Sequence, residues 1–294
     1  IMEFGASELI INPDGSIFHL HLLPEDIADT IILVGDPGRV ETVASFFDQI
    51  ELKKQNREFY TITGYYKKKR LTVISTGIGT DNIDIVVNEL DAIANIDLKT
   101  RKRKAEHKTL NFIRIGTSGS LQANIPVESF LMSKKSIGFD GLLNFYADRN
   151  KVTDNEFEDA FKNHVNWNKL LPSPYVVNAS DELIKKLDGP DMIKGITISA
   201  PGFYGPQGRQ LRLPIVDVDI NDKIEAFEYN GQKVTNYEME SSAIFGLSAL
   251  LGHNALTICV IIANRIQKEF SKDYKPAVKE LIGVVLERLT KNIE

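Results

Sequence analysis

The chain has 294 residues, 43% hydrophobic and 26% charged, the proportions of an ordinary globular protein long enough to bury a substantial core. A formal net charge of −5 argues against nucleic acid as the main partner, and the single cysteine, Cys259, excludes a disulfide framework or a thiolate metal cluster. No run approaches the roughly 20 apolar residues of a membrane helix, and no basic-then-apolar export segment is present, so a cytoplasmic protein without a membrane partner is expected.

In chain order, a short β-branched run followed by a glycine-rich turn and an amphipathic helix recurs. Residues 31–34 read as a strand, followed by Gly35-Asp36-Pro37-Gly38-Arg39 and a helix-like stretch to Phe47. Phe59–Tyr66 and residues 71–75 form a hairpin across Lys67-Lys68-Lys69-Arg70, which makes the sheet mixed rather than purely parallel. Gly77-Ile78-Gly79-Thr80-Asp81-Asn82 then opens a helix with apolar positions Ile83, Val86, Val87, Leu90 and Ile93. Residues 99–108 are strongly basic, without interleaved aromatics, and read as a solvated loop. Residues 112–115 form a strand entering Gly116-Thr117-Ser118-Gly119. Residues 150–174, with the lone Trp167, read as a polar, irregular surface excursion. Residues 196–199 form a strand before a Pro/Gly-rich loop, residues 256–263 a buried strand, and residues 274–289 a terminal helix. The alternation predicts one α/β domain over residues 1–294, with a central mixed sheet flanked by helices.

Two loops point to an anion. In Gly35-Asp36-Pro37-Gly38-Arg39 the glycines let backbone amides approach a ligand, the following helix directs its positive end at the same place, and Arg39 adds a full charge. Arg114 lies inside the apolar run Phe112-Ile113-Arg114-Ile115, where a charge requires a partner. That partner is either a buried carboxylate or a ligand; Thr117 follows at what reads as the carboxyl edge of a strand, where open α/β folds bind ligands. A P-loop, a complete dinucleotide fingerprint, a nucleophile elbow and a metal-spaced histidine pair are all missing. Gln207 and Arg209, two residues apart, can offer an amide and a forked donor to the edge of one ring. Phe203 can pack on the face of such a ring.

In colinear order over most of residues 16–269, these segments resemble the nucleoside phosphorylase superfamily, and within it the uridine phosphorylases. The resemblance rests on Ile17-Phe18-His19-Leu20, Gly35-Asp36-Pro37-Gly38-Arg39-Val40, Arg57-Glu58-Phe59, Ser75-Thr76-Gly77-Ile78-Gly79 and Arg114-Ile115-Gly116-Thr117-Ser118-Gly119. It continues with Phe203-Tyr204-Gly205-Pro206-Gln207-Gly208-Arg209 and Asn236-Tyr237-Glu238-Met239-Glu240-Ser241. It implies a three-layer α/β fold and reversible phosphorolysis of uridine, and of deoxyuridine as a further candidate, to uracil and ribose 1-phosphate in pyrimidine salvage. No cofactor is implied, with inorganic phosphate as co-substrate. By resemblance, Gly35, Arg39, Arg57, Arg114 and Thr117 hold phosphate. Phe203, Gln207 and Arg209 hold the base; His19, Thr117, Met239 and Glu240 hold the ribose. Phe18, His19 and Arg57 come from a neighbouring subunit, which implies at least a homodimer, and relatives form hexamers. Arg114, Gln207 and Arg209 carry the catalysis. Glu58 resembles a monovalent-cation (potassium) ligand, although the enterobacterial Gly-Gly-Pro-Ser is replaced here by Gly79-Thr80-Asp81-Asn82. The alternatives are a purine nucleoside phosphorylase or a nucleosidase of the same superfamily, and a non-catalytic nucleoside-binding protein. Purine-cleaving relatives carry an Asp after the late strand, and Ile261-Ile262-Ala263-Asn264-Arg265 has none.

Overall fold

Residues 4–291 are described by a computed structural model. Fully buried Thr30–Val34 forms β1, a short β-branched run that suits a strand covered on both faces. Asp36 then caps α1 (Pro37–Ala44) by accepting from the Gly38 amide at 2.9 Å, with proline at the first helical position. The hairpin predicted from the sequence is present and gains an outer strand: β2 (Gln49–Asn56), β3 (Phe59–Tyr66) and β4 (Lys69–Ser75) form an antiparallel meander. Its tight turns place Arg57, Lys67 and Lys68 at φ of 54°, 46° and 66°. Helix α2 (Thr80–Asn95) buries the expected stripe of Ile83, Val86, Val87, Leu90 and Ile93.

The basic stretch at 99–108 is more ordered than a free loop. Strands β5 (Ile96–Asp97) and β6 (Lys102–Arg103) pair as a small hairpin, and Lys104 Nζ donates to the carbonyl of Ala94 at the end of α2. Strand β7 (Asn111–Ser120) runs three residues past Thr117, so Gly116-Thr117-Ser118-Gly119 lies within a strand rather than after one. Strand β8 (Phe130–Gly138) follows.

Residues 150–174 correct the sequence reading. They contain α3 (Asn155–Val165), capped by Asp154 and closed by left-handed Asn166 at φ 51°. Phe157, Phe161 and Val165, four apart, are fully buried. Trp167 packs on Phe139 with ring centroids 4.7 Å apart. Arg149 pairs with buried Glu158, which also accepts from the Val176 amide. The polar residues between these four-residue steps conceal a helical stripe that buries a second apolar cluster.

The remaining elements are β9 (Tyr175–Asn178), α4 (Asp181–Leu187), β10 (Met192–Ser199), α5 (Ile220–Ala226), β11 (Glu228–Tyr229) and β12 (Gln232–Glu238). They are followed by α6 (Ser241–Leu251), β13 (Asn254–Asn264), β14 (Glu269–Phe270) and α7 (Lys275–Thr290). The sheet runs β11-β12-β10-β8-β13-β7-β1-β4-β3-β2. The β12–β7 pairing closes its middle upon itself, bringing Tyr237 opposite Gly119. Parallel pairs (β1 with β4 and β7, β10 with β8 and β12, β13 with β7) coexist with antiparallel ones, giving the mixed sheet expected. Helices flank it, with α2 packed on α6, α4 on α7 and α3 on α5. Among the described residues no helix is long and apolar enough to cross a membrane.

Candidate active site

The ends of β1, β7 and β12, the start of α1, the turn between β2 and β3 and the 203–209 loop enclose a cleft of about 870 Å³. Gly35, Arg39, Glu58, Arg114, Thr117, Phe203, Gln207, Arg209, Met239 and Glu240 all line it. Residues far apart in sequence, each singled out for its chemistry, therefore converge on one cavity.

Arg114 lines the cleft among two carboxylates and a second arginine. It is 5% exposed, and its Nε donates to Glu238 Oε2 at 3.1 Å while Nη2 lies 3.6 Å from Glu240 Oε1. A Cβ at position 116 would lie 2.6 Å from Nη2, so glycine there lets the guanidinium lie against its own strand. Burial works against the charge of Arg114, but Glu240 and Glu238 together outweigh it and hold the guanidinium firmly protonated. Of the two readings the sequence left open for this charge, the carboxylate pair is realised, and the arginine also faces the cleft. Half-buried Arg39 reaches toward it from α1, with Nη1 3.5 Å from the Ile115 carbonyl oxygen; burial and the neighbouring Arg114 lower its affinity for the proton. Two adjacent guanidinium groups and the first turn of a helix suit an anion carrying two charges.

Glu238 ends β12, and α6 begins at Ser241. Its carboxylate accepts from Arg114, from Ser199 Oγ at 2.5 Å, and from the Glu240 and Ser241 amides at 3.0 and 3.1 Å. Glu240 differs. Its carboxyl is pushed up to about 7, by burial first, with Arg114 opposing and Glu238 reinforcing the shift. It and half-buried Met239 both line the cleft.

On the 203–209 loop, Gln207 is 3% exposed and Phe203 is 50% exposed. Arg209 folds back between them. Its Nη1 donates to the Phe203 carbonyl at 2.7 Å and to Gln207 Oε1 at 2.6 Å, and its guanidinium lies 3.9 Å from the Phe203 ring centroid. Burial and neighbouring Arg265 bring the Arg209 guanidinium down to about 10, which still leaves it charged at neutral pH. The open fork drawn from the sequence is thus closed on itself, with Arg209 lying over the Phe203 ring. Sequence reasoning missed Arg265, whose Nη1 donates to the Gln207 carbonyl at 3.1 Å, and Tyr237, which also lines the cleft. An arginine directly after a buried strand was a readable signal for the first; no local signal marks the second.

Phe18, His19 and Arg57 do not line this cleft. They are nevertheless gathered on one edge. Asn56 Nδ2 donates to the His19 carbonyl at 2.7 Å, the Phe18 and His19 rings meet edge to face, and Arg57 is exposed at the tip of the β2–β3 turn. Glu89, absent from the sequence reading, shares a 2.5 Å hydrogen bond with His19 Nδ1 and accepts from its amide at 2.8 Å. Glu58 lies beside Gly77, and Asn82 Nδ2 donates to the Ile78 carbonyl at 3.3 Å. Glu58 and Asn82 both line the cleft, and a potassium ion held by Glu58 would need further oxygen ligands from a neighbouring subunit. Asp91, His107 and His253 also cluster, but His253 Nδ1 accepts from the Leu110 amide at 3.0 Å, which commits Nε2 to carry the proton toward Asp91 rather than bind a metal.

Comparison with known proteins places these features among relatives. A family model described as the phosphorylase superfamily matches residues 29–290. A uridine phosphorylase of Thermococcus kodakarensis is 28% identical over 280 residues, covering 92% of this chain and 86% of the relative. A DeoD-type purine nucleoside phosphorylase of Listeria welshimeri is 25% identical over 276 residues, covering 93% and 99%. Among solved structures, a Trypanosoma brucei nucleoside phosphorylase, described as showing uridine phosphorylase activity, superposes with a TM-score of 0.88. It is 29% identical, and the match covers 96% of this chain and 99% of that one.

Proposed function

This chain belongs to the phosphorylase superfamily, and we propose that it catalyses reversible phosphorolysis of uridine to uracil and ribose 1-phosphate. The observation that carries the reading is one cleft holding a two-arginine anion site, Arg39 with Arg114, at one end and an amide–guanidinium pair, Gln207 with Arg209, at the other. The uridine phosphorylase relatives match at higher identity than the purine relative does. No Asp follows the late strand in Ala263-Asn264-Arg265 to protonate a purine. A hydrolytic nucleosidase would have no use for the paired arginines.

Phosphate held by Arg39, Arg114, Thr117 and the Gly35 backbone is positioned to attack the anomeric carbon. An oxygen–carbon bond forms as the glycosidic bond breaks, and its electron pair leaves with the base. No protein nucleophile and no cofactor take part; rate comes from positioning and from donors aimed at the developing charge. Arg209 turns from Phe203 and Gln207 toward the departing uracil. Glu240 and Met239 hold the ribose. Phe18, His19 and Arg57 complete the cleft of a neighbouring subunit, so the working unit is at least a homodimer. A cytoplasmic setting fits the product, since a charged sugar phosphate is retained behind a membrane.

The test is a nucleoside panel with and without inorganic phosphate, followed by the ultraviolet absorbance of the base. Uridine should be cleaved only with phosphate, with stoichiometric ribose 1-phosphate. Cleavage in water alone, or of inosine in preference to uridine, refutes the proposal. Binding without turnover would indicate a non-catalytic nucleoside-binding protein.

A further inference from the structure

Tyr237 occupies an unusual position at the base end of the cleft. Its backbone is fixed from both sides, paired with Ile198 of β10 and Gly119 of β7. Its ring is 2% exposed and meets Phe139 edge to face at 6.2 Å within the second apolar cluster, so it cannot swing out to solvent. Yet its hydroxyl is buried without a hydrogen-bond partner. Of the four such side-chain atoms among the described residues, it alone belongs to a residue lining the cleft.

The neighbours define what is missing. The charged groups acting on the hydroxyl are Arg265 and Arg209. Guanidinium groups donate hydrogen bonds and accept none, so neither can take the phenolic proton. Both are already engaged with the 203–207 loop, Arg265 with the Gln207 carbonyl and Arg209 with the Phe203 carbonyl and Gln207 Oε1. Burial holds the phenol well above its ordinary range, so it keeps its proton and serves as a donor rather than an acid. A buried donor surrounded by donors needs an acceptor from outside the protein.

We infer that the Tyr237 hydroxyl donates a hydrogen bond to a carbonyl oxygen of the departing base and shares with Arg209 and Gln207 the charge that collects there. The inference rests on the uridine reading. When the glycosidic bond breaks, the electron pair reaching the base nitrogen spreads onto the two ring carbonyls, which become better acceptors. A bond to either strengthens toward the transition state, so it acts on the rate of cleavage rather than on ground-state binding.

The experiment compares the wild-type protein with Tyr237→Phe in single-turnover cleavage of uridine and of 5-fluorouridine at saturating phosphate, with thermal melts of both proteins. The fluorine withdraws electrons, so that base leaves more readily and needs less help. The expected result is about a 10- to 100-fold slower uridine cleavage in Tyr237→Phe, a smaller loss on 5-fluorouridine, and a melting temperature no lower than wild type. Unchanged uridine cleavage overturns the inference. So does an equal loss on both nucleosides, a loss confined to KM, or a loss matched by a lowered melting temperature. If the wild-type protein releases no uracil from uridine and phosphate, the functional reading itself fails. If it does and Tyr237→Phe equals it, only the present inference fails.

Discussion

Glu238→Gln tests the claim that a buried carboxylate aims Arg114. Both oxygens of Glu238 are engaged: Oε1 accepts from Ser199 Oγ and the Ser241 amide, and Oε2 from Arg114 Nε and the Glu240 amide. Glutamine preserves the shape but replaces one acceptor with an NH2 group, which meets the Ser241 amide donor in one orientation and the Arg114 Nε and Glu240 amide donors in the other; only the Ser199 hydroxyl can turn to accept from it. Arg114 also loses its nearer counter-charge and keeps only Glu240 at 3.6 Å. Removing one partner of a buried ion pair costs roughly 3–5 kcal/mol. For a protein of this size that corresponds to a melting temperature lower by on the order of 10 °C. The KM for phosphate should rise alongside, because the guanidinium is no longer fixed toward the anion. Thermal melting and steady-state phosphorolysis over a phosphate series measure both. A melting temperature within about 2 °C of wild type, together with an unchanged phosphate KM, would refute the assignment of Glu238 as the group that holds Arg114.

Glu240→Gln should reveal the raised carboxyl through pH. The folded group titrates at about 7 against an ordinary 4.5, so between those values the native state holds a proton that the unfolded chain has lost. Wild-type stability therefore falls as pH rises through that window, and Glu240→Gln, which does not titrate, should gain on wild type by roughly 3 kcal/mol between about pH 5 and pH 8. Urea melts at the two pH values measure it; a difference independent of pH would contradict the shift. Arg209→Ala should slow uridine phosphorolysis by about 10²–10³ with little change in phosphate KM, and near-normal turnover would remove Arg209 from catalysis. Phe161→Ala should destabilise the protein by roughly 3–5 kcal/mol in denaturant melts, because α3 belongs to the core; a loss below about 1 kcal/mol would return residues 150–174 to the status of a surface excursion.

Strands such as Thr30–Val34 and helices such as Thr80–Asn95 were legible in the sequence because their apolar spacing is a local property of the chain. So was an anion site involving Arg39 and Arg114, since a charge in an apolar run and glycines beside a strand signal a ligand, whereas Gln207 and Arg209 joined it only through the resemblance. Helix α3 was legible too, in the four-residue spacing of Phe157, Phe161 and Val165, but its polar neighbours obscured it. The tertiary structure alone decided the pairings. Arg114 and Glu238 stand 124 residues apart and meet because β7 and β12 pair across the closed middle of the sheet. The same closure buries Tyr237 between strands β10 and β7 and leaves its hydroxyl without an acceptor. Sequence determined which groups could bind an anion and a base. Which carboxylate holds the arginine, and which hydroxyl waits for the base, depended on strand register, a long-range property that no local pattern encodes.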